Sequence, residues 1–354
     1  MREPQHQDES AQLIRCLGEM LPPELGTIRL AGSGAAANEL ALRLAEARTG
    51  ARDVIVIDHA WHGNSPSLTA ISPYIFDAPG GMGRPAHVWV AEMPDSYRGR
   101  LRQGDKDVGA GYAESVATMV MDMVGLGRRP MALIAEGVQG TGGQIPLPPG
   151  YLPAAYRHVR REGGLTIADE VATGFGRIGT HPWAFEAQGV IPDIVTAELP
   201  LGPGRRLGIV AMQAEIAKAQ AELAGIGIDP VLVSAGIAAF DEIRDGKQQA
   251  HAQERGQQLM TGLLALGARH PRIGDVRGSG LVLGVEFVKD RSTLQPDADA
   301  VSRLLPRLEG GGVPLTRTGQ HRNVLAIRPP MTIDAATCVQ FLSVLGAALT
   351  DLDL

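Results

Sequence analysis

Three short segments carry residue types that could bind or transform a small ligand. Gly32-Ser33-Gly34-Ala35 runs straight into a helical pattern from Ala36. Unpaired backbone N–H groups and the helix dipole favour an anion such as a phosphate at such a start, although an ordinary Ser33 N-cap with turn glycines explains the same residues. Asp58-His59-Ala60-Trp61-His62-Gly63 follows an apolar run and brings a large flat ring and two imidazoles together. A ring stacked on a planar ligand is the better reading; a His59/His62 metal pair is the weaker one, because the segment is a loop and not a helix. Leu165-Thr166-Ile167-Ala168-Asp169-Glu170 delivers two carboxylates to a strand end, and the loop beyond carries Gly174, Gly176 and Gly179. A buried carboxylate needs a partner or it costs several kcal/mol. A protonated ring nitrogen would be one partner, and an arginine such as Arg177 another.

The elements that would hold these segments follow an α/β order. Val- and Ile-rich runs at 54–58, 87–92, 131–136, 165–170, 193–199 and 207–212 read as buried strands, alternating with helical periods at 35–49, 110–126 and 150–163. Gly127 and the Gly163-Gly164 pair read as helix stops. That pattern predicts a mostly parallel sheet sandwiched by helices, and ligands in such sheets sit beyond the carboxyl ends of the strands. From about residue 229 the texture changes to a long helical stretch reaching about 265, strands at 282–288 and 323–329, and helices near 298–309 and 334–351. The reading is therefore a large α/β domain over 1–228, then a linking helix and a smaller C-terminal α+β domain over 229–354.

Composition removes several function classes. The chain has 354 residues, 44% hydrophobic and 20% charged, so a sizeable core is available. A net charge of -6 leaves no basic surplus for a nucleic-acid partner. Cys16 and Cys338 sit at opposite ends, with no ligand spacing or disulfide framework. No apolar run approaches the ~18 residues of a membrane span, and the polar first ten residues carry no signal-type core. The expectation is a soluble cytoplasmic protein without membrane association. The bases divide into 29 Arg and four Lys, namely Lys106, Lys218, Lys247 and Lys289.

Taken in order, residues 33–45, 58–63, 167–179, 192–202, 274–287 and 327–331 resemble the class III aminotransferases, pyridoxal-phosphate enzymes of fold type I. Residues 71–76, 94–99 and 142–151 look most like the branch holding ethanolamine-phosphate and phosphohydroxylysine phospho-lyases. The resemblance implies that Ser33 and Gly34 face the cofactor phosphate, that Trp61 stacks on the pyridine ring beside His62, and that Asp169 pairs with the ring nitrogen. It also implies that Glu136 lies near the cleft. An aspartate against a pyridinium makes a charge-assisted hydrogen bond that keeps the ring an electron sink.

The departures from the family pattern carry the functional reading. The residue aligned with the Schiff-base lysine is Leu199, and none of the four lysines is near it in sequence. An alkyl side chain can neither anchor the cofactor nor move its proton, and losing a positioned acid/base is worth roughly 10²- to 10⁴-fold in rate. The glutamine expected to touch the phenolic oxygen is Ala172, and the second serine of the phosphate segment is Ala35. The threonine expected to reach the phosphate from a neighbouring subunit aligns with Gly225. Family members also carry an N-terminal segment that shields the site, and this chain begins after it. Either a partner, including a second copy of the chain, covers the remaining sheet, or the substrate side of the cleft is open.

The leading expectation is a degenerate, homodimeric family member acting as a binding, partner or regulatory protein, a pseudoenzyme holding pyridoxal or pyridoxamine phosphate non-covalently if at all. The alternatives are an enzyme of lysine-independent mechanism on an amine or phosphorylated amine, with His62, Glu170 or a substrate amine moving protons, and a conventional transaminase or phospho-lyase. Arg277 and Arg328 could receive a substrate carboxylate or phosphate, or serve in structural ion pairs. Arg205 and Arg206, beside Leu199, could bring positive charge to the vacated lysine position or face solvent.

Overall fold

The computed structural model describes residues 4–202, 204–219 and 228–353; Gly225 lies outside them. A short helix α1 (Pro4–Gly18) precedes strand β1 (Thr27–Ala31), helix α2 (Gly34–Thr49) and strand β2 (Asp53–Ile57). Two short turns of helix, α3 (Pro66–Ala70) and α4 (Pro73–Phe76), lead to β3 (Val88–Ala91), α5 (Val108–Gly125) and β4 (Pro130–Glu136). Then come β5 (Val138–Gln139), α6 (Gly140–Gly143), β6 (Ile145–Pro146), α7 (Tyr151–Arg161), β7 (Leu165–Glu170), β8 (Ile194–Pro200), β9 (Arg206–Met212) and α8 (Ala214–Lys218). The rest of the chain supplies α9 (Pro230–Ile243), α10 (Lys247–Arg269), β10 (Ile273–Ser279), β11 (Val282–Asp290), β12 (Gln295–Pro296), α11 (Ala298–Gly310), β13 (Thr316–Thr318), β14 (Val324–Ile327) and α12 (Ala335–Asp351).

The large sheet has the order β1-β9-β8-β7-β4-β2-β3. Its central pairs β2–β3, β2–β4, β4–β7 and β7–β8 are parallel, whereas β9 runs antiparallel to both β8 and β1. Helices cover both faces, so β2 and β4 are buried at every position; this is why the apolar runs are continuous and do not alternate. Ala37, Ala41, Leu44 and Ala45 of α2 pack over one face, and α1, α5, α7 and α9 pack over the other. The mostly parallel, helix-sandwiched sheet expected from the sequence is the one observed.

Several elements depart from the expected pattern, among them β10, β12 and β13 of the second sheet. Strand β1 and helix α1 lie outside the expected elements: β1 is a half-buried five-residue edge strand, and α1 is largely polar, with Leu13 and Leu17 the fully buried ones among its described side chains. The single helical stretch expected over 229–265 is two helices, separated at Gly246, which takes a left-handed φ of 73° that a helix interior cannot accommodate. Val233, Phe240 and Ile243 of α9 pack into the core of the large sheet, while α10, α11 and α12 enclose the second sheet, β10-β11-β14-β13 with β12 on β11.

Candidate active site

Each functional side chain is placed by the end of an element. Strand β7 stops at Asp169 and Glu170, β4 at Glu136, β8 near Glu198, and α2 opens at Gly34. Their ends surround one cavity of about 640 Å³. Trp61 stands at its lip, 40% exposed, and His62, Asn38 and Asp169 form its buried floor. Ser33, Ala35, Ala172 and Arg328 also line it.

The Asp169 carboxylate is the best-held group in the cavity. Its Oδ2 accepts from Asn38 Nδ2 at 2.9 Å and lies 2.7 Å from His62 Nδ1, and Oδ1 accepts from the Val171 N–H at 3.1 Å. The acceptor at Nδ1 makes that nitrogen the protonated one, so His62 Nε2 is left buried without a partner. Asn38 also donates to the His62 carbonyl at 2.8 Å, and the His62 N–H donates to Ser72 Oγ at 3.0 Å, which locks the loop that carries Trp61. Asp169→Ala leaves these buried donors unpaired and is expected to lower the unfolding free energy by about 2–4 kcal/mol. A denaturant titration showing a loss below about 0.5 kcal/mol would mean that the network is not a stabilising element.

The two adjacent carboxylates of β7 face opposite ways, because successive side chains of a strand alternate. Asp169 faces the cavity, but Glu170 does not line it. Its Oε2 accepts from Thr173 Oγ1 at 2.5 Å and its Oε1 from the Phe185 N–H at 2.9 Å. The proposed proton-transfer role of Glu170 is corrected on this ground; it fastens the glycine loop. Burial pushes its carboxyl up to about 7. Glu136 is also raised to about 7, first by burial and then by repulsion from Asp169, with His62 and Arg328 pulling the other way. Its Oε2 accepts from the Gly140 N–H at 3.3 Å and its Oε1 has no partner.

The arginines expected to share a substrate are separated. Arg328 lies at this cavity and donates to the Ala172 carbonyl at 3.1 Å. Arg277 lines a different cavity, of about 370 Å³. Its guanidinium is captured by Asp275 at 2.9 Å and Glu286 at 2.6 Å, and its Nε donates to the Gly143 carbonyl, so the substrate-binding expectation for Arg277 is corrected to a structural ion pair. Arg206 bonds Glu198, and Arg205 is exposed.

The lysine-aligned residue behaves differently from its neighbour. Leu199 is 1% exposed and packs into the core with Val195, Ala197, Leu207 and Ile209, away from the cavity. Glu198, on the opposite face of β8, enters the cavity instead, and its Oε2 accepts from the Gly34 N–H at 2.7 Å. Glu198, Asn38 and Gln144 are the site residues that sequence reasoning missed. Asn38 had a legible signal, since it lies four residues after Gly34 and so on the same face of α2. Among the described residues there is no cluster of three or more His, Cys, Asp or Glu suited to a metal, and His59 pairs with Asp58.

The residues fit a phosphorylated pyridine cofactor only in part. Trp61, Asp169 and His62 suit a flat protonated ring. The anion end does not, because a carboxylate already occupies the first N–H of α2. Among the described residues no ammonium lines the cavity: Lys106, Lys218, Lys247 and Lys289 are all exposed and none is part of it.

Comparison with known proteins adds the context. The Aminotransferase class-III family model matches residues 1–349. An alanine–glyoxylate aminotransferase 2-like protein of Drosophila melanogaster is 39% identical over 95% of this chain and 70% of its own length. Ethanolamine-phosphate phospho-lyase homolog 1 of Caenorhabditis elegans is 37% identical over 96% of this chain and 77% of its own. Among solved structures, a phospholyase from Arthrobacter in complex with phosphoethanolamine superposes with a TM-score of 0.88 at 27% identity, covering 97% of this chain and 81% of that one. A Pseudomonas amine transaminase in its pyridoxal-phosphate-bound internal-aldimine form superposes with a TM-score of 0.84 at 25% identity, covering 99% and 82%. The architecture is that of the fold type I pyridoxal-phosphate enzymes, and these likenesses imply a pyridoxal- or pyridoxamine-phosphate cofactor.

Proposed function

Because the chain belongs to the class-III aminotransferase family, we propose that it is a degenerate member of it, a homodimeric binding, partner or regulatory protein whose cavity holds its ligand reversibly. The observation that carries this reading is the absence of an amine at the cavity. All four lysines are exposed, and Lys218 and Lys247 are ion-paired with Glu215 and Asp245 at the surface. Leu199 is sealed in the core. Any pyridoxal or pyridoxamine phosphate would be held non-covalently, by Trp61, Asp169 and His62. Among the described residues no helix is long and apolar enough to cross a membrane, and the net charge of -6 supports a small-molecule or protein ligand over a nucleic acid.

One specific observation supports a second reading, a lysine-independent enzyme acting on an amine or phosphorylated amine. His62 Nε2 and Glu136 Oε1 are unpartnered at the cavity, and the Glu136 carboxyl titrates at about 7, so both could hold or pass a proton there. A conventional transaminase or phospho-lyase is supported only by the names of the relatives.

The experiment is to incubate the purified protein with pyridoxal phosphate, reduce it with borohydride, and map lysine adducts by mass spectrometry beside a turnover assay with amines and phosphoethanolamine. The expected result is no stoichiometric adduct and no turnover. Turnover without an adduct, lost in Asp169→Ala, would transfer the function to the second reading. A single stoichiometric lysine adduct with turnover would sink both.

A further inference from the structure

The strongest chemical signal that the family resemblance did not absorb is Glu198. Its side chain is 10% exposed and spans the opening of the 16-residue helix α2. Oε2 takes the Gly34 N–H at 2.7 Å, and Oε1 takes Arg206 Nη1 at 2.7 Å. Ser33 Oγ takes the Ala36 N–H at 3.1 Å. Two donors at the positive end of the helix are thus met by the chain itself, one of them by a carboxylate. An incoming phosphate would have to displace that carboxylate or sit against it, and like charges repel.

Arg206, Arg317 and Arg328 also line the cavity, but Arg206 bonds Glu198, Arg317 bonds Ser302 Oγ and Arg328 bonds the Ala172 carbonyl; the buried polar side chains ask for a donor. Asn38, Gln144 and Glu136, all lining the cavity, are 1%, 2% and 6% exposed, and each keeps a buried oxygen without a partner. The amide orientations are set by the protein. Asn38 Nδ2 donates to Asp169 and to the His62 carbonyl, and Gln144 Nε2 donates to the Gly140 carbonyl, so their free atoms are acceptors. Buried acceptors left unmet are costly, and a ligand rich in N–H or O–H donors would satisfy them. Trp61 supplies a flat surface beside them.

We propose that Glu198 is a built-in substitute for a phosphate, and that the cavity takes a planar, hydrogen-bond-donating amine that carries no phosphate group. The inference deepens the reading of this site as a reversible, non-covalent one. Pyridoxamine and pyridoxamine 5'-phosphate differ only in the phosphate ester, so titration calorimetry of the full chain with each isolates that group. The wild type is expected to bind pyridoxamine at least tenfold more tightly than its phosphate. Glu198→Gly is expected to shift that ratio by tenfold or more toward the phosphorylated form, with inorganic phosphate competing in the variant alone. Glu198→Gln keeps the shape but loses the charge; it shifts the ratio the same way and serves if the glycine variant does not fold. A wild type that prefers the phosphate, a ratio unmoved in both variants, or no binding of either probe to the wild type would overturn the proposal. A lysine adduct after reduction would overturn the functional reading and leave this ratio unaffected, so the two failures are distinct.

Discussion

Leu199→Lys is expected to lose about 3–5 kcal/mol of stability at neutral pH and to acquire no covalent cofactor. The obvious restoration of a family lysine would fail because of pleat parity. Val195, Ala197 and Leu199 point to the core face of β8, whereas Thr196 and Glu198 point to the other. Leu199 pairs in register with Leu207, itself fully buried, so an ammonium at 199 would meet alkyl groups and no counter-charge. Desolvation would lower its pKa from the unfolded value of about 10.4. Above that value the residue is neutral in both states and the charge penalty vanishes. As pH falls, the unfolded chain gains a proton that the folded chain resists, so the penalty grows. Urea unfolding across pH 7 to 10 should therefore show the variant recovering toward the wild type as pH rises. A loss below about 1 kcal/mol at neutral pH, or an imine absorbance band with pyridoxal phosphate, would show that position 199 does reach the cavity.

Glu136 and Glu170 should make the protein lose stability as pH rises through the weakly acidic range. Both carboxyls move from an ordinary 4.5 to about 7 on folding, chiefly through burial. Below the unfolded value both states are protonated, and the contribution is fully present. Between the two values the folded chain holds a proton that the unfolded chain has released, so unfolding becomes easier by about 1.4 kcal/mol per pH unit for each group. Above about 7 the contribution is gone and the profile is flat. Glu136→Gln and Glu170→Gln remove the titration. The stability difference between each variant and the wild type should then grow with pH by roughly 3 kcal/mol across that window, and a constant repacking offset cancels. A pH-independent difference would mean that the buried carboxyls ionise normally. The sign matters for ligand binding too, because a protonated Glu136 can donate from the oxygen that otherwise only accepts.

The extent to which the site was legible depends on what each residue's role required. Glu136 and Asp169 end apolar strands of a covered parallel sheet, and that alone puts them at the ligand-binding edge. Trp61, on the loop after β2, reaches the same edge for the same reason. Glu198 carries no signal of its own in the sequence, because only the phase of the pleat separates it from Leu199. Arg277 reads like Arg328 in the sequence, but Asp275 on its own strand β10 and Glu286 on the neighbouring β11 take its guanidinium. The division of the long helix at Gly246 was written in a glycine, but one glycine in a helical pattern is often tolerated.

By itself the amino-acid sequence determined the layered α/β architecture, the strand ends that carry chemistry, and the lack of a lysine near Leu199. These follow from hydrophobic period, residue type and order, which are local properties of the chain. Only the tertiary structure decided which member of each adjacent pair enters the cavity, Asp169 rather than Glu170 and Glu198 rather than Leu199. That choice depends on the phase of the pleat, and the phase is set by pairing with neighbouring strands far away in sequence, Asp169 against Thr196 and Leu199 against Leu207. A shift of one residue in either register would have turned every one of these side chains to the opposite face.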